Sequence, residues 1–167
     1  YYLEYGLESN QAGGISNPEY LTLLDNYRTW LYQQEEVVHV NSLSDILKRL
    51  NKNLHNDDTS MYRLPGDREL AAQYLLLYEM SLPFGLDLNN QVDINKSKTR
   101  LTGSLAKTST AELLALQERS VAWFKENIPE INFSHGASSD IMFAHIGQSN
   151  IRSISRRYEL KVAELPL

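Results

Sequence analysis

Tyr2-Leu-Glu-Tyr-Gly-Leu-Glu8 alternates apolar and polar residues without a break, and the fold is read outward from it. Leu3, Tyr5 and Leu7 face one way, while Glu4, Gly6 and Glu8 face the other, as in a half-buried strand. Asn10 to Ser16 reads as a loop, with Gly13-Gly14 permitting a sharp turn. Asn17-Pro18 then opens a helix. The asparagine caps it, and proline at the first position gives up an N–H that has no helical partner there. Tyr20, Leu24, Tyr27 and Leu31 repeat at helical spacing, widened by Leu23 and Trp30, and the helix is expected to end near Gln34. The β-branched run Val37 to Val40 supplies a second strand, which makes the first unit β-α-β.

Further along, Ser44 is expected to cap a helix carrying Ile46, Leu47, Leu50 and Leu54. A polar loop, His55 to Ser60, separates it from a helix begun by Pro65-Gly66-Asp67 and stopped by Pro83. That helix should place Leu70, Tyr74 and Leu77 on one face. Val92 and Ile94, then Leu101, Gly103 and Leu105, alternate about the turn Asn95 to Lys98 and predict a hairpin of two short strands. Ser109 and Glu112 form a capping box for a helix with Leu113, Leu116, Val121, Phe124 and Ile128, ended by Pro129. Ile131 to Ser134 reads as one more strand and Asp140 to Ile154 as a final helix. The expected class is α+β, a ferredoxin-like split β-α-β arrangement. It is a mixed sheet with helices packed on one face plus a helical insertion. The expected boundaries are β-α-β over 1–43, the insertion over 44–88, β-β-α-β over 89–135, a terminal helix over 138–154, and a tail of native or vector origin over 155–167.

The chain has 167 residues, enough for one domain or two small sub-domains sharing a core. Its 16 basic and 21 acidic side chains leave a net charge of −5. That argues against a nucleic-acid partner and gives no attraction to an anionic membrane surface. With no cysteine, disulfides and thiolate metal sites are excluded. The longest apolar run, Tyr74 to Tyr78, is far short of the roughly 20 residues that a spanning helix needs. The chain begins at Tyr1 rather than Met, with no signal-peptide pattern, and reads as an excised piece of a longer polypeptide.

Chemistry-bearing motifs are sparse. The four histidines, His39, His55, His135 and His145, form no i,i+4 pair and no His-Glu-x-x-His motif. His39 reads as a partly exposed strand residue, and His55 with Asp57 and Asp58 as a solvated loop. Ser134, His135 and Asp140 carry triad chemistry, but sequence neighbours do not supply triad geometry, and there is no nucleophile elbow. Glu35-Glu36 reads as a solvated pair after a helix end. No catalytic residue, cofactor or metal is therefore expected. The ten tyrosines are many for this length. Tyr74, Tyr78, Met80, Phe84, Met142 and Phe143 are the candidate contacts for cargo or a partner, because methionine and aromatic side chains repack around varied apolar shapes.

Four blocks then point to a family. They are Tyr74-Leu-Leu-Leu-Tyr-Glu-Met-Ser-Leu-Pro-Phe-Gly-Leu-Asp-Leu-Asn-Asn90; Tyr2 to Ser9 with Ala12-Gly-Gly-Ile-Ser16; Val37-Val-His-Val-Asn-Ser-Leu43; and Met142-Phe-Ala-His-Ile-Gly-Gln-Ser-Asn-Ile-Arg-Ser153. Their order resembles a large extracytoplasmic loop of resistance-nodulation-division (RND) exporters, in the branch predicted to move lipids and other hydrophobic cargo. The resemblance implies a porter domain on the periplasmic side of a bacterial inner membrane. It also implies neighbouring porter sub-domains as partners, a homo-oligomer when intact, and a proton-driven machine whose coupling residues lie in membrane helices outside this chain. Residues 155–162, Ser-Arg-Arg-Tyr-Glu-Leu-Lys-Val, depart from the pattern, since the resembling exporters continue into a membrane helix there. The alternative is a soluble ferredoxin-like ligand-binding or oligomerisation module, which that charged tail favours.

Overall fold

The computed structural model describes residues 2–83 and 88–128. It is an α+β structure. Strand β1 (Tyr2–Glu8) leads through a short 3-10 turn to helix α1 (Pro18–Tyr32), strand β2 (Val37–Asn41) and helices α2 (Leu43–Leu54) and α3 (Arg68–Ser81). Strand β3 (Lys98–Leu105) and helix α4 (Thr110–Asn127) follow. The described strands form a three-stranded sheet in the order β1-β3-β2, and both outer strands run antiparallel to β3. β1 and β2 are therefore parallel to each other but held apart by β3, which is the split β-α-β arrangement. Among the described residues the sheet is antiparallel throughout rather than mixed, because β3 enters between β1 and β2 instead of beside them.

Period-two alternation sets the core face. Leu3, Tyr5 and Leu7 of β1 are buried and stand opposite Gly103, Leu101 and Thr99 of β3. Tyr20 of α1 ties the end of this pair, donating its hydroxyl to the Leu7 carbonyl at 2.9 Å and lying 2.6 Å from Thr99 Oγ1. Leu31 of α1 approaches β3 at Gly103, where an added Cβ would meet Leu31 Cδ2 at 3.3 Å. The glycine sets how closely helix and sheet can pack. At the other end of α1, Gly13 has φ +68°, the left-handed conformation that the turn requires.

Local signals hold well. Asn17 accepts from the Glu19 amide as N-cap, with Pro18 behind it, and the Ser109–Glu112 capping box is complete. Other expectations need correction. α1 ends at Tyr32 with Gln33 as its C-cap, slightly short of Gln34. The cap of α2 is Ser42, whose hydroxyl accepts from the Ser44 amide, so Ser44 is the second helical residue. On α3 the buried residues are Ala71, Tyr74 and Leu75, while Leu77 is 45% exposed. The small Ala71 lets the helix approach closely along a face rotated from Leu70-Tyr74-Leu77. Val92 makes one bridge, to Thr99, and Ile94 is 95% exposed, so no second strand forms there. The Asp93 carboxylate instead accepts from the amides of Ser97 and Lys98 and from the Ser97 hydroxyl, turning the chain before a ladder can grow. The expected strand 131–134, helix 138–154 and tail 155–167 lie outside the described residues.

Candidate functional site

The α2–α3 excursion carries the candidate contacts, and polar groups hold it against the core. Asn51 of α2 is buried; its amide donates to the carbonyls of Met61 (3.0 Å) and Arg63 (3.1 Å) and accepts from the Tyr74 hydroxyl (3.0 Å). One side chain thus fixes the connecting loop and α3 together. Asp45, also buried, takes Arg28 at 2.9 Å and Lys48 at 3.5 Å, and Lys48 reaches Asp25 at 2.6 Å, locking α2 onto α1. Lys96, at the tip of the turn before β3, pairs with Glu79 of α3 at 2.8 Å.

This bracing separates the expected site residues. Tyr74 is buried and structural. Tyr78 packs partly buried against the core. Met80 is 77% exposed and lies on the opposite face of α3 with Leu76 (53%) and the misassigned Leu77. The three form an apolar stripe at i, i+1 and i+4 that no described element covers. Phe84, Met142 and Phe143 lie outside the described residues. Leu76 was missed, although its spacing of four from Met80 was readable. Asn51 was missed as well; a mid-helix asparagine, unfavourable in its own right, was the available signal.

A second feature lies between α1 and α4. Tyr27 and Trp30 of α1 meet Trp123 and Phe124 of α4, with ring centroids 4.2 to 6.0 Å apart, and Tyr5 of β1 joins edge-on to Tyr27 at 5.3 Å. Beneath them Tyr5 and Ser120 share a hydrogen bond of 3.0 Å. The Tyr27 hydroxyl sits beside both, in hydrogen-bonding geometry with neither. Burial pushes the hydroxyls of Tyr5, Tyr20 and Tyr27 above the ordinary tyrosine range. Arg119 of α4 grips Glu36 at 2.8 and 2.9 Å, so Glu36 is paired rather than solvated.

Among the described residues no three His, Asp or Glu side chains converge. The His55 ring faces the Asn51 carbonyl at 2.7 Å, Asp58 caps a 3-10 turn and Asp57 lies near Lys52. His39 is exposed on β2. No helix among the described residues is long and apolar enough to cross a membrane. Compared with known proteins, the chain matches no protein family, no curated protein and no solved structure.

Proposed function

We propose that this chain is a periplasmic porter domain of an RND-type exporter, contributing a surface along the path of hydrophobic or lipid-like cargo rather than catalysis. The observation that carries the reading is the Leu76-Leu77-Met80 stripe, exposed on a helix that Asn51 and Lys96 tie to a split β-α-β core. A small, firmly presented apolar surface fits contact with cargo or a neighbouring sub-domain. The stripe lies inside the longest of the four resembling blocks, which takes in the C-terminal part of α3, and two others coincide with β1 and its turn and with β2 through the start of α2. In this reading, porter sub-domains rock against one another, and differences in cargo affinity between the two states move the cargo.

Membrane fractionation of source cells tests the exporter assignment. A product several times heavier than 19.1 kDa, retained in the pellet after alkaline carbonate washing, is the expected result. A soluble product near that mass would sink it. For the surface itself, a fluorophore on Met80→Cys should respond to hydrophobic ligands, and silence there would remove the cargo role from α3. The second reading is a ferredoxin-like ligand-binding or oligomerisation module, which the hollow between α1 and α4 favours.

A further inference from the structure

A groove of about 430 Å³ runs between the N-terminal half of α1 and the C-terminal half of α4, outside the stripe on α3. We infer that it binds a neutral polyhydroxylated ligand, a sugar, either free or as the headgroup of a glycolipid. The inference goes beyond the exporter reading and does not depend on it.

The chemistry of the walls selects the class. Trp123, Leu23 and Pro18 form the apolar part. The indole is half-buried and held in place by Tyr27, Trp30 and Phe124, so an aromatic surface is ready before any ligand arrives. Around it stand Thr22, Asn26 and Asn127, and the Asn127 amide donates to the Trp123 carbonyl at 2.8 Å, which orients it. An adjoining hollow of about 320 Å³ shares Glu19 and Leu23 with this one and adds Gln11 and Asn17. Side-chain amides offer donors and acceptors together, as hydroxyl groups do. Among the described residues no lysine, arginine or histidine lines either hollow, so an anionic ligand meets no counter-charge from them. Glu19, the one ionised group among the described lining residues, can accept from hydroxyls and would repel a phosphate or carboxylate. A sugar ring, with a C–H face and a hydroxyl rim, matches an indole bordered by amides. The open shape suits weak binding of an extended ligand.

Two readouts test this: the indole N–H resonance of Trp123 on the chain as it stands, and tryptophan fluorescence in a Trp30→Phe background, which keeps an aromatic ring beside Trp123. The probes are maltotriose, dodecyl maltoside and dodecylphosphocholine, the two detergents below their micelle concentrations. Saturable shifts with maltotriose at about 0.1–10 mM are expected. Asn26→Ala and Asn127→Ala, both at exposed positions, should weaken binding at least roughly tenfold while leaving the urea midpoint unchanged. Equal affinity for maltotriose and dodecyl maltoside points to a free sugar. Much tighter binding of the maltoside alone points to a glycolipid headgroup. No shift with either sugar probe at about 50 mM overturns the inference. So does dodecylphosphocholine binding as well as the maltoside, or asparagine variants that bind as before. Membrane fractionation is indifferent to all of these outcomes, so the two readings fail separately.

Discussion

The two flanks of α1 are held by opposite chemistry. Towards α4 the contact is made of rings: Tyr27 and Trp30 against Trp123 and Phe124. Towards α2 it is made of charge, with Asp25 and Arg28 reaching Lys48 and Asp45. Ring packing is strong but weakly directional, because an aromatic pair tolerates many tilts over several ångströms. Ion pairs and amide bonds demand one geometry, and each leaves a costly orphan when a partner is removed. The aromatic flank therefore supplies cohesion, while the polar flank specifies where α2 and α3 sit. The exposed stripe is on the specified side.

Breaking the aromatic flank should cost most. Phe124→Ala empties a fully buried site against Tyr5 and Tyr27 and is expected to lose about 3–5 kcal/mol in urea unfolding. On the polar flank, Asn51→Ala leaves the Tyr74 hydroxyl and two loop carbonyls without their amide. It is expected to lose about 2–3 kcal/mol, with amide exchange rising over the loop between α2 and α3 before the rest of the chain. Equal exchange everywhere would mean that the bracing is not local.

Much of this contrast lay beyond one-dimensional reading. The Asn17-Pro18 start and the Ser109–Glu112 box involve residues within one turn of each other, so spacing alone reveals them. The alternation over β1 was likewise visible, because a strand with one buried face shows its period directly. Asn51 bonding to Tyr74, Arg119 to Glu36 and Arg28 to Asp45 depend on helix crossings that sequence spacing does not encode. For the candidate contacts, composition marked Tyr74 and Met80 alike as large and apolar. Only the rotation of α3, set by Ala71 and Leu75 against the core, separates the buried residue from the exposed one.

A smaller effect sharpens the comparison through pH. Burial alone would raise the Asp93 carboxyl, but hydrogen bonds from Lys98, Ser97 and Asn95 outweigh it and hold the group below the ordinary aspartate range. A depressed folded pKa contributes stability that is present above the unfolded value, about 3.9, and is lost as pH falls through the folded value. Asp93→Asn should therefore lower the urea midpoint near neutral pH and flatten the acid limb of the stability curve. An unchanged acid limb would show that the turn is held by its backbone bonds. The buried tyrosines work in the opposite direction. Their raised pKa values contribute stability that is complete below about 10 and lost as pH climbs through the folded values. The smallest change expected is at Tyr27, whose hydroxyl has no hydrogen-bond partner among the described residues. Tyr27→Phe should be neutral or stabilising by up to about 1 kcal/mol and should shift alkaline unfolding upward. A clear loss would reveal a bond through water.

The interleaved order of the sheet has a consequence for synthesis. β1 pairs with β3 from Tyr2↔Ser104 to Glu8↔Lys98, and β2 must also wait for β3, across the whole α2–α3 excursion. No two described strands that follow one another directly in sequence close a tight hairpin. A nascent chain would thus carry β1 and β2 unpaired for several seconds, at roughly 5–20 residues per second, until β3 clears the ribosome and joins both in one step. Folding of this sheet is limited by arrival of its central strand, and a pause placed just after Leu105 would influence yield more than any pause before Lys98.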